Sequence, residues 1–229
     1  MIIEAVTVCV NYSDILSLAM PYNKSVIDNW VIVTDLNDTD TKKLCDYHNV
    51  KCIQTNAFYE SGEIFNKGKG INVGFDELKL SGWVLHLDAD ILLPANMKRI
   101  LASDALETDC LYSVDRIDIV GRNEYVSTIL NLHNQYSDYV FVEEVKPIST
   151  RMFHNTMGYC PIGYFQLFHN SKFIPYSERH ETAARSDVLF LNNWAKNKRR
   201  LHPGFFVYHL MSEKSPMGTN WDGRISKKF

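Results

Sequence analysis

The sequence predicts an α/β fold built on a largely parallel sheet. Three observations point there. Strand-like and helix-like segments alternate through the first half of the chain, as in a largely parallel sheet. Trp83–Leu87 is a continuous apolar run apart from His86, the pattern of a central strand buried on both faces. Three strand-like segments finish on polar residues, namely Asn11 and Tyr12, Thr34 and Asp35, and Asp88 and Asp90. In open α/β sheets, ligands bind outside the carboxyl ends of the strands.

The elements follow in order. Glu4–Asn11 alternates apolar and polar residues, with strand-favouring Val and Thr. Trp30–Asp35 is a short β-branched run ending on an acid. Thr39–His48 reads as a helix with Asp38 or Thr39 as N-cap, and Val50–Thr55 as the next strand. Gly70–Leu80 places Ile71, Phe75, Leu78 and Leu80 mainly on one helical stripe before Trp83–Leu87. A helix is expected over Asn96–Leu106, a strand over Leu111–Asp118 and weak helical character over Ser127–Tyr139. Phe141–Tyr164 is broken by Pro147, Gly158, Pro161 and Gly163. Phe165–His169 reads as a strand, Arg185–Trp194 as a helix and Phe205–Leu210 as a last strand, with a polar tail after it.

The 229 residues are 45% hydrophobic and 22% charged, with a formal net charge of −3. That is globular composition, with no overall attraction to nucleic acid or anionic lipid. No apolar stretch is long enough to span a bilayer and no basic leader precedes the first strand, so a cytoplasmic protein is expected. The five cysteines are odd in number and widely spread, without zinc-site spacing, so reduced and mostly buried thiols are expected.

Asp88-Ala89-Asp90 carries the chemistry. Two carboxylates one residue apart at the end of a buried strand each need compensation. A hard divalent cation supplies it, and a phosphate-bearing ligand completes the coordination. Lys67 and Lys69 flank Gly68 just before a helix, where glycines allow close backbone approach and the helix N-terminus favours an anion. Lys69 is preferred for a phosphate, with solvated lysines on a loop as the other reading. The basic run Lys196–Arg200 reads as a solvated helix end, or else a phosphate-binding patch.

Val84-Leu-His-Leu-Asp-Ala-Asp-Ile-Leu-Leu-Pro94 resembles the metal-binding motif of GT-A-fold glycosyltransferases, nearest to the broad family-2-like group. Phe65-Asn-Lys-Gly-Lys-Gly-Ile-Asn-Val-Gly74 resembles the segment those enzymes place before the motif strand. Tyr164–Phe168 is similar to their acceptor-side strand, Ser186-Asp187 to the start of their catalytic helix, and Tyr208-His209-Leu210 with Asn220–Arg224 to their C-terminal ligand and closing loop. Position 186 carries Ser where the pattern has a second acid.

The resemblance implies a single GT-A domain over 1–229, a Rossmann-like mixed sheet flanked by helices. Its nucleotide-sugar half would be 1–118, its acceptor half 119–210, and its lid 211–229. It implies that Asp90 binds the metal, that Asp88 contacts the ribose or a metal-bound water, and that His209 adds an imidazole ligand. Such mixed ligation favours Mn²⁺ somewhat over Mg²⁺. Val10, Asn11, Tyr12, Asp35, Lys69, Asn72, Asp88 and Arg224 would bind the donor, a UDP-sugar being favoured, and Tyr164 and Gln166 the acceptor. Asp187 would be the general base of an inverting single displacement. The residues alone leave other readings open: a core histidine for His209, a cap or turn for Asp35 and a helix-start carboxylate for Asp187, with Glu178, His180 and Glu181 as alternative bases.

The implied activity is hexosyl or pentosyl transfer to a glycan, a lipid-linked sugar or a modified nucleic acid. A nucleotidyltransferase is the nearest competitor, but the first strand exits as Asn11-Tyr12-Ser13-Asp14 without the Gly-rich signature of that class. A non-catalytic nucleotide-sugar-binding protein of the same fold is the other alternative.

Overall fold

The computed structural model describes residues 1–121, 153–154 and 156–211. Its elements are β1 Ile3–Val8, α1 Ser13–Asn23, β2 Asn29–Asp35, α2 Thr39–His48, β3 Lys51–Thr55, α3 Lys67–Phe75, β4 Trp83–Leu87, β5 Ile91–Leu92, α4 Met97–Ser103, β6 Leu111–Val120, β7 Phe153–His154, β8 Gly158–Tyr159, β9 Phe165–His169, α5 Ser186–Leu191 and β10 Arg199–Met211. Eight strands form one mixed sheet in the order β3-β2-β1-β4-β9-β6-β10-β5, and β7 and β8 pair separately. β1 lies parallel to both β2 and β4, and β9 is inserted antiparallel between β4 and β6. The expected α/β architecture is therefore present, and the carboxyl ends of β1, β2 and β4 share one edge.

Both faces of the sheet are covered. Along β1, Ile3 and Ala5 join one apolar cluster, whereas Val6 and Val8 join another with Ile71 and Phe75 of α3. The polar members of β1 are buried too. Glu4 accepts from Asn29 Nδ2 at 3.0 Å and from the backbone N–H groups of Lys79 and Ser81 at 3.0 and 2.7 Å. Thr7 Oγ1 accepts from Trp30 Nε1 at 3.0 Å. Buried polar groups with such partners cost little.

Helix α1 is absent from the sequence reading because Pro21, in its last turn, masks the stripe Ile15, Leu16, Ala19 and Met20 that it buries. Asp38 caps α2 by accepting from Thr41 N at 3.0 Å, and Asn49 closes that helix in the left-handed region. Helix α3 starts at Lys67, three residues before the expected start, with Asn66 as cap. Its glycines serve packing: a Cβ would lie 2.0 Å from the Phe58 ring at Gly70 and 2.4 Å from Val6 Cγ1 at Gly74. At Gly68 it would lie 2.4 Å from the Ser177 carbonyl, so these glycines bring α3 onto the protein rather than onto a phosphate.

Strand β10 begins at Arg199, well before the expected Phe205, because it pairs with β6 from Leu111 onward and resumes after an irregularity between His202 and Phe206. Within the basic run, Lys196–Lys198 form a short 3₁₀ turn and Arg199 and Arg200 open β10. Lys198 bridges Glu107 and Asp109, Arg200 reaches Glu107, and the buried Arg199 binds the Trp194 carbonyl. Ser127–Tyr139 lies outside the described residues.

Candidate functional site

The turn Asp88–Ala89–Asp90 joins β4 to β5. It is pinned at both ends by backbone bonds: Asp88 N–H donates to the Tyr164 carbonyl at 3.2 Å, and Leu210 N–H donates to the Asp90 carbonyl at 2.8 Å. Both carboxylates face a cavity of about 120 Å³ at the carboxyl ends of β1 and β4. Its walls are Val8, Cys9, Val10, Tyr12, Phe65, Lys67, Ala89, Gly163, Ala183, Ser186 and Asp187.

Asp90 is 7% exposed, and its Oδ1 has no hydrogen-bond partner. Its Oδ2 lies 3.5 Å from His209 Nε2. His209 does not line the cavity wall, but its Nδ1 is 2.9 Å from Asp118 Oδ1, which turns Nε2 toward Asp90. Burial opposes charge on both partners. Their mutual attraction prevails, so the Asp90 pKa falls below the ordinary carboxylate value and that of His209 rises.

Asp88 differs. Burial raises its pKa, although Lys67 opposes the shift with an ion pair of 2.5 Å from Nζ to Oδ1. His86 Nε2 stands 3.7 Å from the same oxygen and has no hydrogen-bond partner.

The tautomer of His86 follows from its neighbours. Gln166 Nε2 points at the carbonyls of Pro161 and Asp187, so its Oε1 is left to accept from the Tyr176 hydroxyl. That hydroxyl must then accept from His86 Nδ1, at 2.9 Å. The lone pair of Nε2 is therefore directed at Asp88. Burial, reinforced by Lys67, holds the His86 pKa well below the ordinary histidine range, so the ring is neutral.

Asp187, near the start of α5, forms the opposite wall. Its Oδ2 accepts from Gly163 N–H at 2.9 Å and its Oδ1 from Val188 N–H at 2.7 Å. Arg185, with φ of 69°, turns the chain sharply into this helix.

Of the sequence-derived residues, Val10, Tyr12, Asp88, Asp90 and Asp187 meet around the cavity, with His209 behind Asp90. Others lie elsewhere. Lys69 Nζ is held by Glu63 at 2.7 Å and Ser61 at 3.1 Å, so Lys67 and not Lys69 reaches the carboxylates. Asn72 binds the Tyr176 carbonyl and Glu178, tying α3 to the following loop. Asn11 donates its N–H to Asp38 at 2.6 Å, and Asp35 accepts from Asn37 N–H in a turn. Tyr164 is 3% exposed, with its hydroxyl on the Val114 carbonyl, and Gln166 is fully buried. Neither offers an acceptor a surface, because both are consumed in positioning the walls. Arg224 lies outside the described residues.

The sequence reading missed Asp118 and the chain His86–Tyr176–Gln166. Asp118 carried a signal, an acid between Ile117 and Ile119 in a strand, which needs a buried partner. The pairing with His209 depends on the β6–β10 register, which sets Asp118 opposite it.

No protein-family model matches the chain, and no curated protein matches it in sequence. Solved structures do. Glucosyl-3-phosphoglycerate synthase from Mycobacterium tuberculosis, in complex with Mn²⁺, UDP and glucosyl-3-phosphoglycerate, aligns with a TM-score of 0.52 and 13% identity, over 91% of this chain and 71% of that one. Its complex with Mn²⁺, UDP-glucose and phosphoglyceric acid aligns with the same score, identity and coverage. Mannosyl-3-phosphoglycerate synthase from Rubrobacter xylanophilus gives a TM-score of 0.52 and 16% identity, over 92% and 67%. At such identities the likeness establishes the fold, which is GT-A. No helix among the described residues is long and apolar enough to cross a membrane.

Proposed function

We propose that this GT-A-fold chain is a metal-dependent glycosyltransferase. It would move a hexosyl or pentosyl group from a nucleoside-diphosphate sugar, UDP-sugars being favoured, to an acceptor hydroxyl with inversion. One observation carries the reading: Asp90 presents a buried, unpartnered carboxylate oxygen toward a cavity that also holds Asp88 and, on its far wall, Asp187. The fold is shared with synthases solved with Mn²⁺ and UDP-glucose, which supports the same donor class here.

The donor set fits a divalent cation. Asp90 Oδ1 lacks a partner, Asp88 lies one residue away, and Asp118 orients His209 so that Nε2 faces Asp90. A carboxylate on the far nitrogen of an imidazole is the usual support of a metal-binding histidine. Two carboxylate oxygens with one imidazole suit Mn²⁺ or Mg²⁺. The bound cation would supply Lewis-acid stabilisation of charge on the departing diphosphate.

The chain's own residues do the remainder. Val10 and Tyr12 wall the cavity at the end of β1, where the nucleoside would lie. Gly163 N–H and Val188 N–H fix the Asp187 carboxylate in place, leaving lone pairs to take the acceptor proton.

The test is a thermal-shift screen of nucleotide sugars with and without Mn²⁺, followed by UDP release with candidate acceptors. A rise in unfolding midpoint that requires both nucleotide and Mn²⁺ supports the reading. No rise with any nucleotide sugar overturns it, and binding without turnover favours the non-catalytic alternative.

A further inference from the structure

The ammonium of Lys67 pairs with Asp88 in a cavity that Asp90 and Asp187 also line. Its Nζ lies 2.5 Å from Asp88 Oδ1, and its side chain is 17% exposed. Burial disfavours its charge, but Asp88, then Asp187 and Asp90, more than compensate and hold it protonated. On Asp88 the ammonium meets an oxygen that also faces the lone pair of His86 Nε2 at 3.7 Å. Without Lys67, three carboxylates would line one cavity, with that lone pair directed at Asp88 as well. Lysine suits such a post, because its charge is compact and its stem flexible.

We propose that Lys67 is an internal counter-ion that stands in for the divalent cation, and that metal binding expels its ammonium from Asp88 toward the diphosphate of the donor. The inference rests on the metal-dependent reading above and adds a competition within the site. A dication shared by Asp88 and Asp90 would sit beside an ammonium already on Asp88, and like charges so close in a low-dielectric cavity repel strongly. Lys67 lines the same cavity at the first position of α3, so its stem can swing without moving backbone. The anionic donor then removes the strain by accepting the displaced cation. Metal and donor therefore bind cooperatively, the metal alone being resisted.

The experiment compares wild type, Lys67→Met and Lys67→Arg by calorimetric titration with Mn²⁺ alone and with UDP at saturating Mn²⁺, alongside thermal unfolding. Lys67→Met is expected to bind Mn²⁺ alone at least tenfold more tightly than wild type. It should bind UDP at least tenfold more weakly in saturating Mn²⁺. Its metal-free unfolding midpoint should drop and be restored by Mn²⁺. Lys67→Arg, which keeps the charge, should retain the weak Mn²⁺ affinity and the midpoint of wild type. Equal or weaker Mn²⁺ binding by Lys67→Met overturns the proposal, as does Lys67→Arg behaving like Lys67→Met. If wild type binds Mn²⁺ neither alone nor with UDP, the metal-dependent reading itself fails, a result distinct from either.

Discussion

His209 Nδ1 stands 2.9 Å from Asp118 Oδ1, and this contact decides that Nε2 faces Asp90. Residues on two adjacent strands thus fix the direction of an imidazole that could otherwise rotate. Asp118→Asn keeps the shape and removes the charge that orients the ring. Mn²⁺ affinity measured by titration should fall about 10–100-fold, the usual cost of losing such support. Unchanged affinity would show that His209 is a core histidine only.

Asp90→Ala should abolish Mn²⁺-dependent UDP binding. It should also destabilise the metal-free protein by about 1–2 kcal/mol, since the Asp90 carboxylate is the partner of His209 and its charge is favoured by the fold. Denaturant melts without metal check the second part. A variant as stable as wild type would mean that the pair contributes nothing.

Asp187→Asn preserves volume and one acceptor oxygen but turns an amide N–H toward Gly163 or Val188 N–H. A small structural cost, about 1 kcal/mol, is expected. UDP binding should persist while transfer falls by about 10²–10⁴-fold, as for loss of a general base. Near wild-type turnover would reduce Asp187 to a loop anchor.

Glu4 lies far from the cavity, at the opposite end of β1. Burial raises its pKa, but bonds from Asn29, Ser81 and Lys79 outweigh burial and bring it below 4.5. A lowered folded pKa gives stability that is present above the unfolded value and lost as pH falls through the folded one. Glu4→Ala, which orphans those donors, should cost about 2–4 kcal/mol at neutral pH. Its stability should also vary less with pH below 4.5 than that of wild type. Parallel acid-denaturation curves for the two proteins would contradict this assignment.

Gly70→Ala would set a methyl 2.0 Å from Phe58 Cε1, and Gly74→Ala one 2.4 Å from Val6 Cγ1. Each should destabilise by about 1–3 kcal/mol through overpacking, despite the better helix propensity of alanine. Chemical denaturation settles it, and a gain in stability would show that α3 can lift from the sheet.

The core strand β4 and its acidic turn were legible because five apolar-rich residues followed by two acids allow few other arrangements. Helix α1 was not, since Pro21 argues locally against a helix that tertiary burial nonetheless enforces. The choice between Lys67 and Lys69 turned on where α3 begins. Two positions apart on a helix are about 200° apart around its axis, so an error of three residues at the start leaves their directions undetermined. Tyr164 and Gln166 looked like acceptor contacts because aromatic and amide groups suit sugars. The structure spends both inward, one on the Val114 carbonyl and the other on Tyr176 and Pro161. Pairings such as Asp118 with His209 depend on register between distant strands, which local pattern does not encode.

Asp90 and His209 meet only because β5 closes onto β10, with Ile91 opposite His209 in the pairing. During synthesis the acidic turn leaves the ribosome long before its imidazole partner exists. The chain from α4 to α5 must also be made before β10 can dock beside β6. The Asp90–His209 contact therefore cannot form until β10 is in place beside β5. Its appearance in a refolding sample would count finished molecules, separating them from compact intermediates that already hold β1, β2 and β4 together.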